Sequence, residues 1–350
     1  MIINNRKIGP KEPPYIIAEM SANHNGSLQQ AFQIIDSAIL NGADAVKIQT
    51  YTADTITLNS SREDFIIDSG PWKGQTLFDL YSKSYTPWEW HKPIFDYAKE
   101  KDFTIFSSPF DFTAIDFLED LGAPAYKIAS FEAIDLPLIK YCASTKKPMI
   151  ISTGMASRIQ IEEAIDAARE GGCQDIAILH CVSGYPAPVE DYNLNTIPDM
   201  IKHFNVTTGL SDHTIGISTA ISSVALGGCI IEKHFTLNSK AGGSDDFFSI
   251  EPKGLKDLTR GVLDTWKSLG KVNYSIKDSE LVNIKFRRSL YYVKEIKKGE
   301  IITEDSVRSV RPGYGLEPKM IYQVIGKRAA RDIERNSAVT FESFVGWLTD

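Results

Sequence analysis

Short, unbroken apolar runs recur along the chain at Tyr15–Ala18, Ala45–Ile48, Phe103–Phe106, Ala125–Ile128, Met149–Ile151, Ile176–Leu179, Val206–Leu210 and Cys229–Ile231. Most are followed by a longer stretch with helical spacing, such as Ser27–Leu40, Trp88–Lys101, Phe112–Leu121, Arg158–Glu170 and Ile217–Leu226. Continuous apolar strands alternating with amphipathic helices specify a parallel sheet covered on both faces. Eight such units suit a closed barrel better than an open doubly wound sheet, and no GxGxxG or GxxxxGK[ST] loop supports the open form. The predicted fold is therefore α/β, a (β/α)8 TIM barrel over residues 1–275.

After about Lys277 the pattern changes. Arg287–Val293, the Lys297-Lys298-Gly299-Glu300 turn, Ile301–Thr303, the Arg311-Pro312-Gly313 turn and Lys327–Ile333 read as short strands and tight turns. They predict a small separate domain over 286–350, reached through a polar linker at 276–285. Tyr51 to Pro87 is too long for a minimal barrel connection, and connections of this length are usually functional. It carries Tyr51, Phe65, Trp72, Phe78, Tyr81 and Tyr85, so it is expected to pack over the barrel mouth.

Composition narrows the chemistry. A net charge of −7 argues against a nucleic-acid partner, which needs a surplus of Lys and Arg on one face. The segment most like a membrane span, Ile215–Ile231, is short and broken by Gly227-Gly228, and reads as helix, turn and strand, so no membrane partner is expected. Met1–Arg6 lacks the apolar core of a signal peptide, and Cys142, Cys173, Cys181 and Cys229 show no CxxC spacing; both features point to a reducing, cytoplasmic setting.

Catalytic groups of such barrels sit at the C-terminal strand ends. Strand alternation turns Val46 and Ile48 toward the helices and Lys47 and Gln49 inward; Tyr126 and Ile128 likewise face out and Lys127 in. Interior ammonium groups are costly unless they meet anions. Two readings follow: a structural ion-pair network with Glu19 and Glu132, or a cradle for the phosphate and carboxylate of a substrate. Four histidines, His24, His180, His213 and His234, fall at or after strand ends. Adjacent strands seven and eight would bring His213 and His234 to one metal, and imidazoles completed by oxygens suit Mn²⁺ or a similar first-row ion. His180 reads equally well as a hydrogen-bonded core residue. Spacing alone thus predicts metal-assisted chemistry on a small anion. A Schiff-base aldolase on the same barrel would use a strand lysine, and a sugar- or ice-binding protein would need neither buried lysines nor paired histidines.

Several segments, in order, resemble the sialic acid synthase family: Ile17-Ala18-Glu19, Asn23-His24-Asn25-Gly26-Ser27, Gly42-Ala43-Asp44 with Lys47-Ile48-Gln49, and Ser107-Ser108-Pro109-Phe110. Tyr126-Lys127-Ile128-Ala129-Ser130, Ser152-Thr153-Gly154-Met155, Tyr185-Pro186, Gly209-Leu210-Ser211-Asp212-His213 and Glu232-Lys233-His234-Phe235 continue the match. The tail resembles the antifreeze-like (SAF, β-clip) domain that closes these chains. The resemblance implies condensation of phosphoenolpyruvate with an open-chain 2-acetamido sugar, releasing phosphate. His213 and His234 would be metal ligands, for Mn²⁺ foremost and otherwise Mg²⁺ or Co²⁺. Lys47, Gln49, Ser108 and Lys127 would hold phosphoenolpyruvate, with Ser108 replacing the usual threonine. Glu19 would contact sugar or water, Glu132 would act as acid/base or water positioner, and Tyr185 would line the substrate site. Asp245 would bind the sugar, with Asp246 the adjacent alternative. Arg311 would reach a partner's barrel in a domain-swapped homodimer.

Within that family the long insertion marks the branch. Gln49-Thr50-Tyr51-Thr52, Thr57-Leu58-Asn59-Ser60, Asp64-Phe65-Ile66-Ile67 and Thr86-Pro87-Trp88-Glu89-Trp90-His91 resemble the pseudaminic acid branch. That implies a 2,4-diacetamido-2,4,6-trideoxy-altrose substrate, with a neuraminate or legionaminate branch as the alternative.

Overall fold

The computed structural model describes residues 1–346; residues 347–350, the end of the predicted tail domain, lie outside the described residues. Eight strands form the barrel: Tyr15–Glu19, Ala45–Thr50, Thr104–Pro109, Tyr126–Ile128, Met149–Ser152, Ile176–Cys181, Thr207–Asp212 and Ile230–His234. Every neighbouring pair is parallel, and the eighth strand pairs with both the seventh and the first, closing the ring. Each predicted apolar run lies within or beside one of these strands.

Alternation sorts the strand residues into two cores. Ile16, Ala18, Val46, Ile48, Tyr126 and Ile128 pack outward against the helices. Tyr15, Ile17, Ala45, Phe106, Ala125 and Ile230 pack inside the barrel, where Ile3 and Ile8 join them from the N-terminal hairpin Ile2–Ile3/Arg6–Lys7. That hairpin plugs the N-terminal end.

The surrounding helices begin where the sequence supplies caps. Ser27 accepts from Gln30 N to start Leu28–Leu40, Asp111 accepts from Thr113 N and Ala114 N to start Phe112–Asp120, and Ser157 with Gln160 forms a capping box for Arg158–Gly171. Leu136–Ser144, Thr196–Phe204 and Pro252–Leu269 are further helices not singled out from periodicity. In Ile215–Ile231, a helix at Ser218–Ala225 gives way at Gly227 (φ 99°) to the eighth strand. Among the described residues no helix is long and apolar enough to cross a membrane, and all four cysteines are free and buried.

The insertion after the second strand folds into short helices Ala53–Ile56 and Leu77–Ser84 with a bridge between Ile66 and Thr76. Tyr51 anchors it edge-on to Tyr81 and Phe110, and Ser84 Oγ lies 2.9 Å from Ser244 Oγ of the loop after the last strand.

Contacts divide the chain into Met1–Gly270 and a second unit from Lys271 onward. The second unit has its own core, including Leu290, Tyr292, Ile302, Val324 and Val339, around the antiparallel pair Ser289–Tyr292 and Val307–Val310. Ile301–Thr303 and Lys327–Ile333, predicted as strands, instead make isolated bridges at Ile301–Arg328 and Ile296–Ile333. The turn with Gly299 at φ 85° bends the chain between them and interrupts a regular ladder.

Candidate active site

The C-terminal end of the barrel carries a buried charge network. Lys47 Nζ lies 2.7 Å from Glu19 Oε2 and 3.8 Å from Glu232 Oε1, and donates to Ser108 Oγ at 3.1 Å. Lys127 Nζ donates to both oxygens of Glu232, at 2.9 and 3.1 Å. Gln49 Nε2 donates to Glu19 Oε1 and Ser21 Oγ, each at 3.0 Å. Four strands therefore contribute two ammonium groups and two carboxylates, and a fifth the Ser108 hydroxyl, to one water-poor cluster, and mutual pairing makes their burial tolerable.

Glu132 was expected as one of the lysines' anionic partners. That expectation is corrected: Glu19 and Glu232 pair with the lysines, whereas the buried Oε2 of Glu132 has no hydrogen-bond partner among the described residues. Glu132 sits in the turn after the fourth strand, while Glu232 projects inward from the eighth.

The carboxylates are tuned apart. Burial raises Glu19 above the usual range despite Lys47. Glu232, desolvated too, is held below it because Lys127 and Lys47 both face it. Glu132 is pushed up to about 7, mainly by burial, with Lys127 too weakly coupled to offset it. Carboxyls poised in this way are suited to proton transfer. Pairing with Glu19 and Glu232 holds Lys47 above the ordinary lysine range, which disfavours the uncharged amine that a Schiff base needs, whereas burial lowers Lys127 despite Glu232.

His213 and His234 meet as predicted, with ring centroids 5.4 Å apart and planes at 65°. His213 Nδ1 is 2.8 Å from the Val182 carbonyl, an arrangement that leaves Nε2 as the lone-pair nitrogen. Burial and the surrounding positive groups depress the pKa of His234 strongly, keeping it neutral. Among the described residues its buried Nδ1 has no hydrogen-bond partner, and it lies 3.8 Å from Asp245 Oδ2. Among the described residues no group of three or more His, Cys, Asp or Glu side chains could hold a metal ion. Two facing imidazoles, that of His234 held neutral and with an unsatisfied nitrogen, nonetheless fit a cation that keeps open positions.

The other two strand-end histidines bond within the scaffold. His180 points outward, with Nε2 2.5 Å from the Tyr192 carbonyl. His24 Nδ1 accepts from Gly26 N, and its Nε2 meets Thr86 Oγ1 at 3.2 Å, tying the first loop to the end of the insertion.

Tyr185 lies over the histidine pair, 4.4 Å from the His213 ring and 6.1 Å from His234, with Phe248 at 5.3 Å and Trp72 of the insertion at 6.2 Å. Burial and the Glu132 charge push up the Tyr81 phenol, placing a second insertion residue beside the site. Asp245 faces this cluster. Asp246 does not, because it accepts from Thr236 Oγ1 (2.5 Å), Gly243 N (2.8 Å) and Asn25 Nδ2 (3.0 Å) to hold its own loop. Arg311 is exposed in the second unit, just past Val307–Val310.

Glu232 was missed as a site residue, though alternation with His234 puts it inward. Ser152 and Ser211 follow from the same rule. Ser130 and Ser183 lie in turns that alternation does not reach. Their hydroxyls converge on Gly154, where a Cβ would stand 2.3 Å from Ser183 Oγ and 2.8 Å from Ser130 Oγ. The hydroxyls of Ser152 and Ser183 are buried without partners among the described residues.

Comparison with known proteins agrees with this architecture. The profile described as "NeuB family" matches residues 34–274, and the "SAF domain" profile matches 287–345. A "Pseudaminic acid synthase" from Campylobacter jejuni is 44% identical, covering 94% of this chain and 96% of the relative. One of the same name from Helicobacter pylori is 41% identical, covering 94% and 97%. Among solved structures, the spore coat polysaccharide biosynthesis protein spsE from Bacillus subtilis superposes with TM-score 0.68 at 34% identity, covering 100% of this chain and 99% of that one.

Proposed function

The chain belongs to the NeuB family, and from that premise we propose that it is a pseudaminic acid synthase. It would condense phosphoenolpyruvate with the open-chain aldehyde of 2,4-diacetamido-2,4,6-trideoxy-β-L-altropyranose and water, giving pseudaminic acid and phosphate. The observation that carries the reading is the buried Lys47–Glu19–Glu232–Lys127 network facing the His213–His234 pair. The pseudaminic acid synthases at 44% and 41% identity support the choice of sugar.

His213 and His234 would hold a divalent cation, Mn²⁺ foremost, which supplies Lewis acidity toward the sugar aldehyde. Lys47 and Lys127, with Gln49 and Ser108, orient the phosphate and carboxylate of phosphoenolpyruvate, exchanging part of their pairing with Glu19 and Glu232 for the substrate's charges. The enol carbon then attacks the aldehyde carbon, and the aldehyde oxygen takes a proton. Water adds at the carbon bearing the phosphate, and the C–O bond to phosphate breaks. Glu132, with a carboxyl that changes protonation near neutrality, is suited to move the protons of these steps, and Glu19 to position the water. Asp245 and Tyr185 would contact the sugar.

The proposed assembly is a domain-swapped homodimer in which Arg311 of one chain serves the site of the other. Phe131, Ile134, Met155, Ile159, Val189 and Ile215, on loops and a helix start following strands four to seven, expose 55–72% of their surface, an apolar rim that favours a protein cover.

The test is phosphate release from phosphoenolpyruvate with the altrose derivative and with the aldehyde precursors of N-acetylneuraminate and legionaminate, with and without chelator. Release only with the altrose derivative, abolished by chelator, is expected. Preference for another sugar would overturn the branch; no release with any sugar in saturating Mn²⁺ would overturn the activity.

A further inference from the structure

The two imidazoles can share an ion only if strands seven and eight keep their register. Side-chain direction alone does not guarantee that, because a slip of two residues preserves which side faces inward yet moves a side chain by roughly 7 Å along the strand. Something else must hold the pair, and the outer face of the same strands carries it. Asp212 and Lys233 are register partners, and each immediately precedes one of the histidines.

Lys233 Nζ lies 2.8 Å from Asp212 Oδ2, and the two side chains are 2% and 0% exposed. The same ammonium donates to the Thr214 carbonyl at 2.7 Å. Asp212 Oδ1 accepts from Thr214 N at 2.9 Å and from Thr214 Oγ1 at 2.8 Å. The residues on both sides of His213 are thus tied to one another and to the residue before His234. A buried ion pair offers little net stability over an apolar pair of the same size, and the best-attested use of such pairs is to specify register.

We propose that Asp212 and Lys233, bridged by Thr214, are positioning residues that lock His213 and His234 at the separation a shared divalent cation requires. The inference rests on the metal reading given above. The clamp does not touch substrate; it acts by removing the freedom of the His213 turn relative to the eighth strand, much as groups behind a metal ligand fix its orientation.

The test uses the full-length chain and Mn²⁺ alone, with free Mn²⁺ read by electron paramagnetic resonance and folding read by thermal melting. The double variant Asp212→Asn with Lys233→Met removes both charges together, so neither is left buried without its partner. It is expected to melt within a few degrees of wild type, to bind Mn²⁺ about 10- to 100-fold more weakly, and to lose kcat while KM for phosphoenolpyruvate holds. Mn²⁺ affinity within twofold of wild type in the folded variant would overturn the inference and leave the metal reading intact. Failure of the wild-type chain to bind Mn²⁺ would overturn both. If the double variant does not fold, Asp212→Asn alone is judged by the same Mn²⁺ criterion.

Discussion

The two ends of the barrel are built from the same strands and differ in almost every physical respect. At the N-terminal end the inward residues are Ile17, Ala45, Phe106, Ala125 and Ile230, closed off by Ile3 and Ile8. Two residues further along, the inward residues are Glu19, Lys47, Ser108, Lys127 and Glu232, paired with one another at 2.7 to 3.8 Å. The first layer makes the second possible. It excludes water from below, so charges above it are poorly screened and interact strongly, and their pKa values move apart. Stability and chemistry are thereby separated by one step of strand alternation.

The sharpest way to break the comparison is to remove the imidazoles, which belong to the chemical end alone. His213→Ala with His234→Ala is expected to lower phosphate release on the order of 10⁴-fold, about 5.5 kcal/mol in the barrier, while the melting temperature stays close to wild type. Full activity in the double variant would eliminate the metal role. At the other end, Phe106→Ala opens a cavity in a fully buried layer and should cost about 3–5 kcal/mol in denaturant unfolding. Folded molecules of that variant should retain kcat within a few fold. If kcat collapsed while stability held, the division of labour between the ends would be wrong.

Glu132 sharpens the comparison through pH. Its folded carboxyl titrates near 7, above the ordinary value of 4.5, so the folded state binds more protons between those values. Stability is therefore lost as pH rises through that window, and the penalty is complete above about pH 7. Glu132→Gln should leave stability nearly unchanged at pH 4 and raise it at pH 8 by on the order of 2 kcal/mol. The same substitution should cut phosphate release about 10²-fold and abolish the limb of the wild-type pH–rate profile near pH 7. An unchanged limb would assign that titration to another group.

Much of this layout was legible from alternation alone. The inward direction of Lys47, Gln49 and Lys127, and the meeting of His213 with His234, required only strand positions and the rule that neighbouring strands end together. What stayed hidden depends on three-dimensional reach. Lys127 selects Glu232, more than a hundred residues away, over nearby Glu132, because the eighth strand closes back across the barrel. Asp245 and Asp246 are indistinguishable in sequence, and the loop alone decides that Asp246 bonds inward to Thr236, Gly243 and Asn25. Ser130 and Ser183 converge only because Gly154 has no Cβ to separate them.

The smallest predicted effect concerns the insertion, which belongs to neither end and covers the chemical one. Its Ile66–Thr76 segment carries Trp72 to Tyr185, which in turn packs on His213. Trp72 and Tyr185 form an aromatic surface suited to the 6-deoxy carbon and second acetamido group of the proposed sugar. Trp72→Ala should therefore raise KM for the sugar about 5-fold, as expected for losing one aromatic contact of roughly 1 kcal/mol, and leave KM for phosphoenolpyruvate unchanged. The split between the two constants is the decisive reading. Equal increases for both substrates would mean that the insertion seals the mouth without selecting what enters, and no change in either would make it a surface decoration.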